Sequence, residues 1–256
     1  MPRVSAIIIC KNEEPHIREC LQSVAWCDEI VVVDSGSTDK TVPIAKEFTP
    51  KVLHRDWTGF IDQINYALSQ ATGDWVLCVD ADERCSTGLK DALQKFLPRS
   101  DGIGGVDLKR HTWYLGRWID HGGWYPDWKL RFIRRDGARC EGHEPHYRLI
   151  PKDGRVEKVD ADLLHFTYDD FKDHLRTLDR YSDVVSDEWM KEGRSFGYLR
   201  AIFHSYFKFL GCYFWKLGFL DGWAGLVIAA TSSFYIFSKY VKQKEKLDKH
   251  ERPHSF

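Results

Sequence analysis

Residues 74–82 read Asp-Trp-Val-Leu-Cys-Val-Asp-Ala-Asp, a short apolar run that ends in two carboxylates. A continuous apolar run of this length is typical of a strand that is covered on both faces. Similar runs lie at 4–9 and 29–34, with a shorter one at 52–54. Apolar residues recur at helical spacing between these runs. The alternation predicts an α/β fold with a mostly parallel sheet and helices on its faces.

The carboxylates that follow the predicted strands form the first candidate site. Asp34 ends the run at 29–34, and Asp80 and Asp82 end the run at 74–82. The carboxyl ends of parallel strands lie at one edge of a sheet, where ligands of α/β folds bind. Two carboxylates two residues apart can both approach one divalent cation that bridges phosphate oxygens. An Asp-x-Asp sequence is also common in solvated turns, so its position after a buried strand carries the interpretation.

Composition excludes several classes of protein. The 256 residues are 43% hydrophobic, which suits one domain of ordinary size with an appendage. Lys and Arg total 37 against 38 Asp and Glu, so the chain lacks the basic excess of a nucleic-acid binder. Its seven cysteines include no Cys-x-x-Cys pair, and no cleavable leader precedes the first apolar run. These features predict a reducing, cytoplasmic location, no structural zinc and no nucleic-acid partner.

The C-terminal part of the sequence is aromatic and ends in lysines. Residues 217–238 contain one charge, Asp221, and five lysines follow between 239 and 249. We interpret this part as an amphipathic helical element that lies in the membrane interface, with its lysines attracted to anionic lipid. The alternatives are a helical hairpin packed on the rest of the protein and a membrane-spanning helix.

Three motifs, in this order, give the chain a resemblance to a known family. They are Val-Ser-Ala-Ile-Ile-Ile-Cys-Lys-Asn-Glu at 4–13, Val-Val-Asp-Ser-Gly-Ser-Thr-Asp at 32–39 and Val-Asp-Ala-Asp-Glu at 79–83. On these motifs the chain resembles the inverting family 2 glycosyltransferases of the GT-A fold. Within that family it is similar to the lipopolysaccharide inner-core β-glucosyltransferase group. The likeness extends to Gly-Gly-Trp-Tyr-Pro-Asp at 122–127 and to the aromatic, lysine-rich end.

The resemblance implies a domain organisation and a reaction. A GT-A catalytic domain is expected over 1–190, with a nucleotide-sugar-binding half at 1–98 and an acceptor half at 99–190. The helical, membrane-associating extension is expected over 191–256. A hexose, expected to be glucose from UDP-glucose, would move to the lipopolysaccharide inner core or another glycolipid acceptor with the help of Mn²⁺ or Mg²⁺. The enzyme would then lie in the cytoplasm, peripherally associated with the inner face of the membrane.

The same resemblance assigns residues to the donor site. Asp34 would accept a hydrogen bond from the uracil N3, Asp80 would approach the ribose and the metal, and Asp82 would be the direct metal ligand. His165 is the expected second ligand, although a lone histidine often serves only as a structural hydrogen-bonding group. The full set of donor-site residues implied is Glu13, Asp34, Gln63, Asn65, Asp80 and Asp82.

The acceptor side needs a carboxylate that deprotonates the attacking hydroxyl. Asp127 is the predicted base, because it lies where the resemblance places the acidic motif after a glycine loop. Trp124 and Trp128 are expected to line a sugar cleft, since the faces of pyranose rings are apolar; core packing is the alternative. Further candidates are Glu141 and Glu144, as rival bases, and His143, as a rival metal ligand.

Two other functions fit parts of the sequence. A sugar nucleotidyltransferase also combines an α/β sheet, a metal and carboxylates, but it would carry a basic, glycine-rich phosphate loop where residues 12–14 read Asn-Glu-Glu. A catalytically silent, membrane-associated scaffold could keep the same fold. A dinucleotide-dependent dehydrogenase is disfavoured because no Gly-x-Gly-x-x-Gly follows a strand.

Overall fold

The computed structural model describes residues 1–143, 146–168 and 170–251. The strands are β1 Val4–Cys10, β2 Glu29–Asp34, β3 Val52–His54, β4 Trp75–Cys78, β5 Glu83–Cys85, β6 Ile103–Tyr114, β7 Arg117–Trp118, β8 Asp127–Arg134, β9 Arg139–His143, β10 His146–Ile150 and β11 Arg155–His165. The helices are α1 Ile17–Ser23, α2 Thr41–Ala45, α3 Phe60–Gln70, α4 Thr87–Phe96, α5 Phe171–Lys191, α6 Tyr198–Leu210 and α7 Gly222–Glu251. Short 3₁₀ segments lie at Leu97–Arg99 and Gly218–Asp221, and a π-helical turn lies at Gly211–Trp215.

The described strands form one large mixed sheet and a small hairpin of β9 and β10. The large sheet has the order β3-β2-β1-β4-β8-β6-β11-β5, with β7 paired to β6. Strands β3, β2, β1 and β4 pair in parallel, whereas β8 is antiparallel to both β4 and β6. The predicted α/β class and mixed sheet are confirmed, with parallel pairing confined to the strands up to β4. Antiparallel pairing follows because short connections, rather than crossover helices, join β6, β7 and β8.

Side chains of the parallel strands alternate between two apolar cores. Ile8 and Val32 pack on one face of the sheet, together with α1 and α4. Ile7 and Val31 pack on the other face, together with α3. All four side chains are at most 1% exposed. The continuous apolar runs of the sequence therefore arise because both faces of these strands are covered.

The chain divides into two compact units. Unit 1 comprises 1–111 and 126–166 and contains the parallel strands. Unit 2 comprises 112–125 and the described part of 167–256, and contains α5, α6 and α7. The domain boundaries expected from the sequence after 98 and after 190 stay predictions.

Asp221, the one charge in the apolar run at 217–238, is fully buried in unit 2. Its carboxylate accepts hydrogen bonds from the backbone N–H of His121 at 2.8 Å and from the Arg117 guanidinium at 3.2 Å. The His121 imidazole lies 3.2 Å from the same carboxylate. These partners compensate the loss of hydration, which a buried charge requires. Asp221 thereby fixes the segment from Arg117 to His121 against the start of α7.

The lysines of α7 are expected from the sequence to attract anionic lipid, but four of the five hold carboxylates. The pairs are Lys242 with Asp179 and Asp183, Lys246 with Asp187, Lys244 with Asp248, and Lys249 with Glu245. Within the described residues, Lys239 alone of the five has no carboxylate at ion-pair distance. Carboxylates of α5 hold Lys242 and Lys246, and carboxylates of α7 itself hold Lys244 and Lys249. The attraction of these lysines to anionic lipid stays a prediction.

One described segment, Gly218–Lys249, is long and apolar enough to cross a membrane by length and composition. Of its most apolar window, 33% is buried inside the protein. The predicted C-terminal helical extension is therefore present, whereas its association with a membrane stays a prediction.

Candidate active site

Asp82 and His165 lie against each other in unit 1. Asp82 follows β4, and its Oδ2 is 3.2 Å from Nε2 of His165, the last residue of β11. The antiparallel register of β11 and β5 sets this contact, since His165 pairs with Glu83, the next residue after Asp82. The backbone N–H of Phe166 also donates to the Asp82 carbonyl oxygen at 2.9 Å. Two residues 83 positions apart are thus held together by strand pairing.

The electrostatics of this pair favour a charged carboxylate. Burial by itself raises the pKa of the Asp82 carboxyl, but the charge of His165 and the hydrogen bond from it outweigh burial, so the pKa lies below its usual value. A carboxylate oxygen and an imidazole nitrogen are both suitable ligands for Mn²⁺. Within the described residues, no three His, Cys, Asp or Glu side chains come together as a metal-binding group. The pair offers two side chains of the right chemistry for a divalent cation, and metal binding by them stays a prediction.

Asp80 is engaged by a buried arginine. The guanidinium of Arg131, on β8, contacts the Asp80 carboxylate and lies 3.2 Å from Oε1 of Glu83. Glu83 is fully buried, and its Oε2 accepts the backbone N–H of Asp80 at 2.9 Å. Burial raises the pKa of Glu83 in spite of the attraction of Arg131. These contacts with Arg131 and Glu83 therefore fix the orientation of the Asp80 carboxylate.

Asp127, the predicted base, lies at the start of β8 and is paired with Arg110 of β6. The Arg110 guanidinium donates two hydrogen bonds to Oδ2 of Asp127, at 2.7 and 3.0 Å. Lys129 lies 3.2 Å from the other oxygen. Arg110 also lies 3.9 Å from Glu83, so the pairs of Asp127 and Asp80 belong to one network. The position of Asp127 in unit 1 is set by strand register, because Arg110 lies directly opposite it.

Arg110 and Arg131 are site residues that the sequence analysis did not identify. Both lie on strands and are largely or fully buried, where a charged side chain requires a partner. Each strand also carries other charged residues, such as Lys109 on β6 and Lys129 on β8, so no sequence signal singles these two arginines out.

Asp34 and Glu13 lie at the carboxyl ends of β2 and β1. Asp34 is 4% exposed, and its carboxylate accepts the backbone N–H groups of Gly36 and Ser37. The thiol of Cys10 lies 3.9 Å from Asp34, and its pKa is raised by burial and then by the charges of Asp34 and Glu13. The structure therefore brings these two predicted donor-site carboxylates to one end of neighbouring strands.

The side-chain amides of Gln63 and Asn65, on α3, form hydrogen bonds with backbone groups. Gln63 is fully buried and donates to the carbonyl oxygens of Arg55 and Asp56 at 3.0 and 2.9 Å. Asn65 exchanges two hydrogen bonds with the backbone of Cys140, at 2.8 and 3.0 Å. Their predicted contacts with the donor are not tested by this geometry. Their observed contacts fix α3 to the loop after β3 and to β9.

The acceptor-side candidates are distributed over both units. In unit 1, Trp128 is half-buried with the Lys158 ammonium 4.8 Å above its ring, and the side chain of Glu141 is half-exposed and paired with Arg139. His143 belongs to β9, but its side chain is outside the described part of the chain, and so is all of Glu144.

Trp124 belongs to an aromatic cluster in unit 2. Its ring centroid is 5.5 Å from that of Tyr114 and 6.1 Å from that of His174. Tyr168 stacks on His174 at 4.4 Å. These contacts agree with the packing alternative for Trp124, and its role in a sugar cleft stays a prediction.

Comparison with known proteins supports the same family as the sequence motifs. Residues 5–153 match the family described as Glycosyl transferase family 2. The lipopolysaccharide core biosynthesis glycosyltransferase LpsC of Rhizobium meliloti is 30% identical over 91% of this chain and 89% of its own length. An uncharacterized glycosyltransferase of Rickettsia typhi is 27% identical over 96% of this chain and 88% of its own.

Among solved structures, glucosyl-3-phosphoglycerate synthase of Mycobacterium tuberculosis, in complex with Mn²⁺, UDP-glucose and phosphoglyceric acid, is 26% identical with a TM-score of 0.37. The match covers 43% of this chain and 44% of that one. The family match extends over more than half of the 256 residues, and LpsC is similar along nearly the whole chain. On these two findings the chain belongs to glycosyl transferase family 2.

Proposed function

We propose that this chain is an inverting, metal-dependent glycosyltransferase that moves a hexose from a UDP-sugar to a glycolipid acceptor. The observation that carries the proposal is the contact between Asp82 and His165 just beyond Asp80, at the carboxyl end of β4. An acidic site at that edge suits a nucleotide diphosphate whose charge is balanced by a cation.

The donor site would combine Asp82 and His165, as ligands of Mn²⁺ or Mg²⁺, with the carboxylates at the ends of β1 and β2. The cation would neutralise charge that develops on the leaving diphosphate. Asp34 would accept the hydrogen bond from uracil, with Glu13 in the same pocket. Asp80 would face the ribose, held in place by Arg131. Gln63 and Asn65 complete the proposed set.

The chemical step assigned to Asp127 is the removal of a proton. Asp127 takes the proton of the acceptor hydroxyl as that oxygen forms its bond to the anomeric carbon. The bond from this carbon to the diphosphate oxygen breaks at the same time, and UDP leaves with the electron pair. Arg110 orients the Asp127 carboxylate through its two hydrogen bonds. Glu141 and Glu144 are the alternative bases, and His143 is an alternative ligand.

The acceptor is proposed to be the lipopolysaccharide inner core, and the sugar to be glucose. LpsC, which matches over nearly its whole length, is named for lipopolysaccharide core biosynthesis, and this supports such an acceptor. The choice of UDP-glucose rests on the motif resemblance. Trp124 and Trp128 are the side chains proposed to contact sugar rings.

The proposed location is the cytoplasm, with peripheral binding to the inner face of the membrane. Unit 2 exposes many large apolar side chains, among them Trp215 and Trp223, which are 71% and 73% exposed. Aromatic residues of this kind are favoured in membrane interfaces. A catalytic domain over 1–190 with a membrane-associating extension over 191–256 remains part of this proposal.

A calorimetric screen of nucleotide sugars in the presence of Mn²⁺ tests the donor assignment. We expect one UDP-hexose to bind with a requirement for metal, and transfer to release UDP. Release of pyrophosphate from UTP and a sugar 1-phosphate, with no release of UDP from any UDP-sugar, would instead identify a nucleotidyltransferase. Absence of both binding and turnover with every donor would favour the silent scaffold.

Two variants separate binding from chemistry. Asp82→Asn should remove metal-dependent donor binding and lower turnover by at least about 100-fold, with an unchanged circular dichroism spectrum. Asp127→Asn should abolish transfer while donor affinity stays within about twofold. The exposed Asp101 provides the matched control, and Asp101→Asn should alter neither quantity. Loss of donor affinity in Asp127→Asn would move the base to another carboxylate.

A further inference from the structure

Two adjoining cavities lie in unit 2 among α5, α6 and α7. Their volumes are about 490 and 290 Å³, and both are lined by Trp189, Arg194, His204 and Tyr240. The hydroxyl of Tyr240 and Nδ1 of His204 are 2.7 Å apart, which links α6 to α7 at the cavity wall. The cavities belong to none of the elements that carry the proposed transfer chemistry.

The lining is cationic. Arg194, Arg200, Lys208 and Lys239 all line the cavities, and no Asp or Glu does. Arg194 is partly neutralised, because its Nε lies 2.5 Å from Glu192 at the surface. Within the described residues, Arg200, Lys208 and Lys239 have no carboxylate at ion-pair distance. The cavity therefore has an excess of positive charge.

The positive charges of these side chains also repel one another. Lys239 lies over the rings of Trp189 and Tyr235, at 5.2 and 4.6 Å. Burial, followed by the charges of Lys208 and Arg194, lowers the pKa of the Lys239 ammonium. An anion bound between them would relieve this repulsion. The other lysines of α7 do not need an anion, because each already holds a carboxylate.

An apolar surface continues from the cavity. Phe207 lines the cavity, is 52% exposed and stacks on Phe203 at 6.4 Å. The exposed large apolar side chains along α6 are Tyr198, Leu199, Ile202, Phe203, Tyr206 and Phe207. No Asp or Glu occurs between 193 and 220, whereas Arg194, Arg200, Lys208 and Lys216 do. A cationic recess beside an apolar, acid-free face matches a phosphate that is attached to acyl chains.

We propose that this recess binds the phosphate head group of an anionic lipid, with Lys208 and Lys239 as its principal cations and the α6 face in contact with the acyl chains. The site would set the depth and orientation of unit 2 on the bilayer. It extends the proposed membrane association but does not depend on the donor chemistry of unit 1.

The test is co-sedimentation of the full chain with vesicles of phosphatidylcholine, alone or mixed with phosphatidic acid. The double variant Lys208→Gln/Lys239→Gln should weaken binding to the mixed vesicles by about 10-fold or more, since each basic residue near an anionic surface contributes roughly 1 kcal/mol. Lys244→Gln/Lys249→Gln is the matched control, because it removes two paired lysines from the same helix. The control should change binding by less than about threefold.

Three outcomes would overturn the site. Equal losses in both double variants would mean general attraction of charge, and full retention in Lys208→Gln/Lys239→Gln would mean that the recess is not used. Equally tight calorimetric binding of inorganic phosphate in the absence of vesicles would show that the lipid is not required. If Lys208→Gln/Lys239→Gln retains full binding, loss of vesicle binding in Phe203→Ser/Phe207→Ser would show that the protein still associates with membranes through the α6 face. Transfer to a soluble acceptor would test the proposed function separately.

Discussion

Unit 1 and unit 2 handle charge in different ways. In unit 1, Arg131 and Arg110 are withdrawn from solvent and satisfied by the carboxylates of Asp80, Glu83 and Asp127. In unit 2, one described carboxylate is buried, and three of the four cations that line a recess beside exposed aromatic side chains have no carboxylate at ion-pair distance among the described residues. The comparison shows that the candidate active site of unit 1 is built from oppositely charged side chains that pair with one another. Within the described part of the chain, the recess of unit 2 has unpaired cations beside exposed apolar groups, as the proposed lipid site requires.

The largest effect is expected from removal of Arg131, the central cation of unit 1. Arg131→Ala leaves Asp80 and buried Glu83 without their partner and should cost about 3–5 kcal/mol in the free energy of unfolding. Urea denaturation measures this loss, and adding Glu83→Gln should recover part of it. Arg155→Ala, which removes an exposed arginine paired with Glu157, is the control and should change stability little. Similar losses in both variants would contradict the importance of the network.

A second test measures how the stability of the protein depends on pH through His174, a buried histidine of unit 2. Burial lowers the pKa of His174 to about 4, against 6.5 for the ordinary group. The unfolded chain therefore takes up the proton first, and this contribution to stability is complete above about pH 6.5 and is lost as the pH falls towards 4. The loss is on the order of 3 kcal/mol, so urea denaturation of His174→Gln should depend less on pH across this window. His54→Gln, at an exposed histidine, should retain the original dependence.

The buried carboxylate of unit 2 gives a smaller expected effect. Asp221→Asn keeps the shape of the side chain but removes the charge that Arg117 and His121 hold, and should cost about 2 kcal/mol by urea denaturation. Asp248→Asn removes a surface partner of Lys244 and should leave the midpoint almost unchanged. A neutral result for Asp221→Asn would mean that Asp221 is tolerated rather than required at the start of α7.

The smallest expected effect sharpens the distinction among the lysines of α7. Lys242 is 17% exposed and bridges Asp179 and Asp183 of α5, so Lys242→Ala should cost at most about 1 kcal/mol in thermal or urea unfolding. Lys249 pairs only locally with Glu245, and Lys249→Ala should have no measurable effect. A larger loss for Lys249 than for Lys242 would contradict the role of the α5 to α7 pairs.

The sequence was sufficient for the fold class and the family. Apolar runs at 4–9, 29–34 and 74–82 predict covered strands because both faces of a parallel sheet must be dry, and the structure confirms this. The same logic places Asp34 and Asp80 at the carboxyl ends of β2 and β4, the two strands that flank β1. The motif order was sufficient to identify glycosyl transferase family 2.

Tertiary structure alone decided which charges meet. Arg110 and Arg131 reach Asp127, Asp80 and Glu83 through the antiparallel register of β6 and β8, and a register is set by packing over the whole sheet. The lysines of α7 looked equivalent in the sequence, yet the acidic face of α5 satisfies some of them and Lys239 is directed into a cationic recess. Periodicity determines which side of an element is apolar. Which charged side chain lies opposite depends on contacts between residues far apart in the chain.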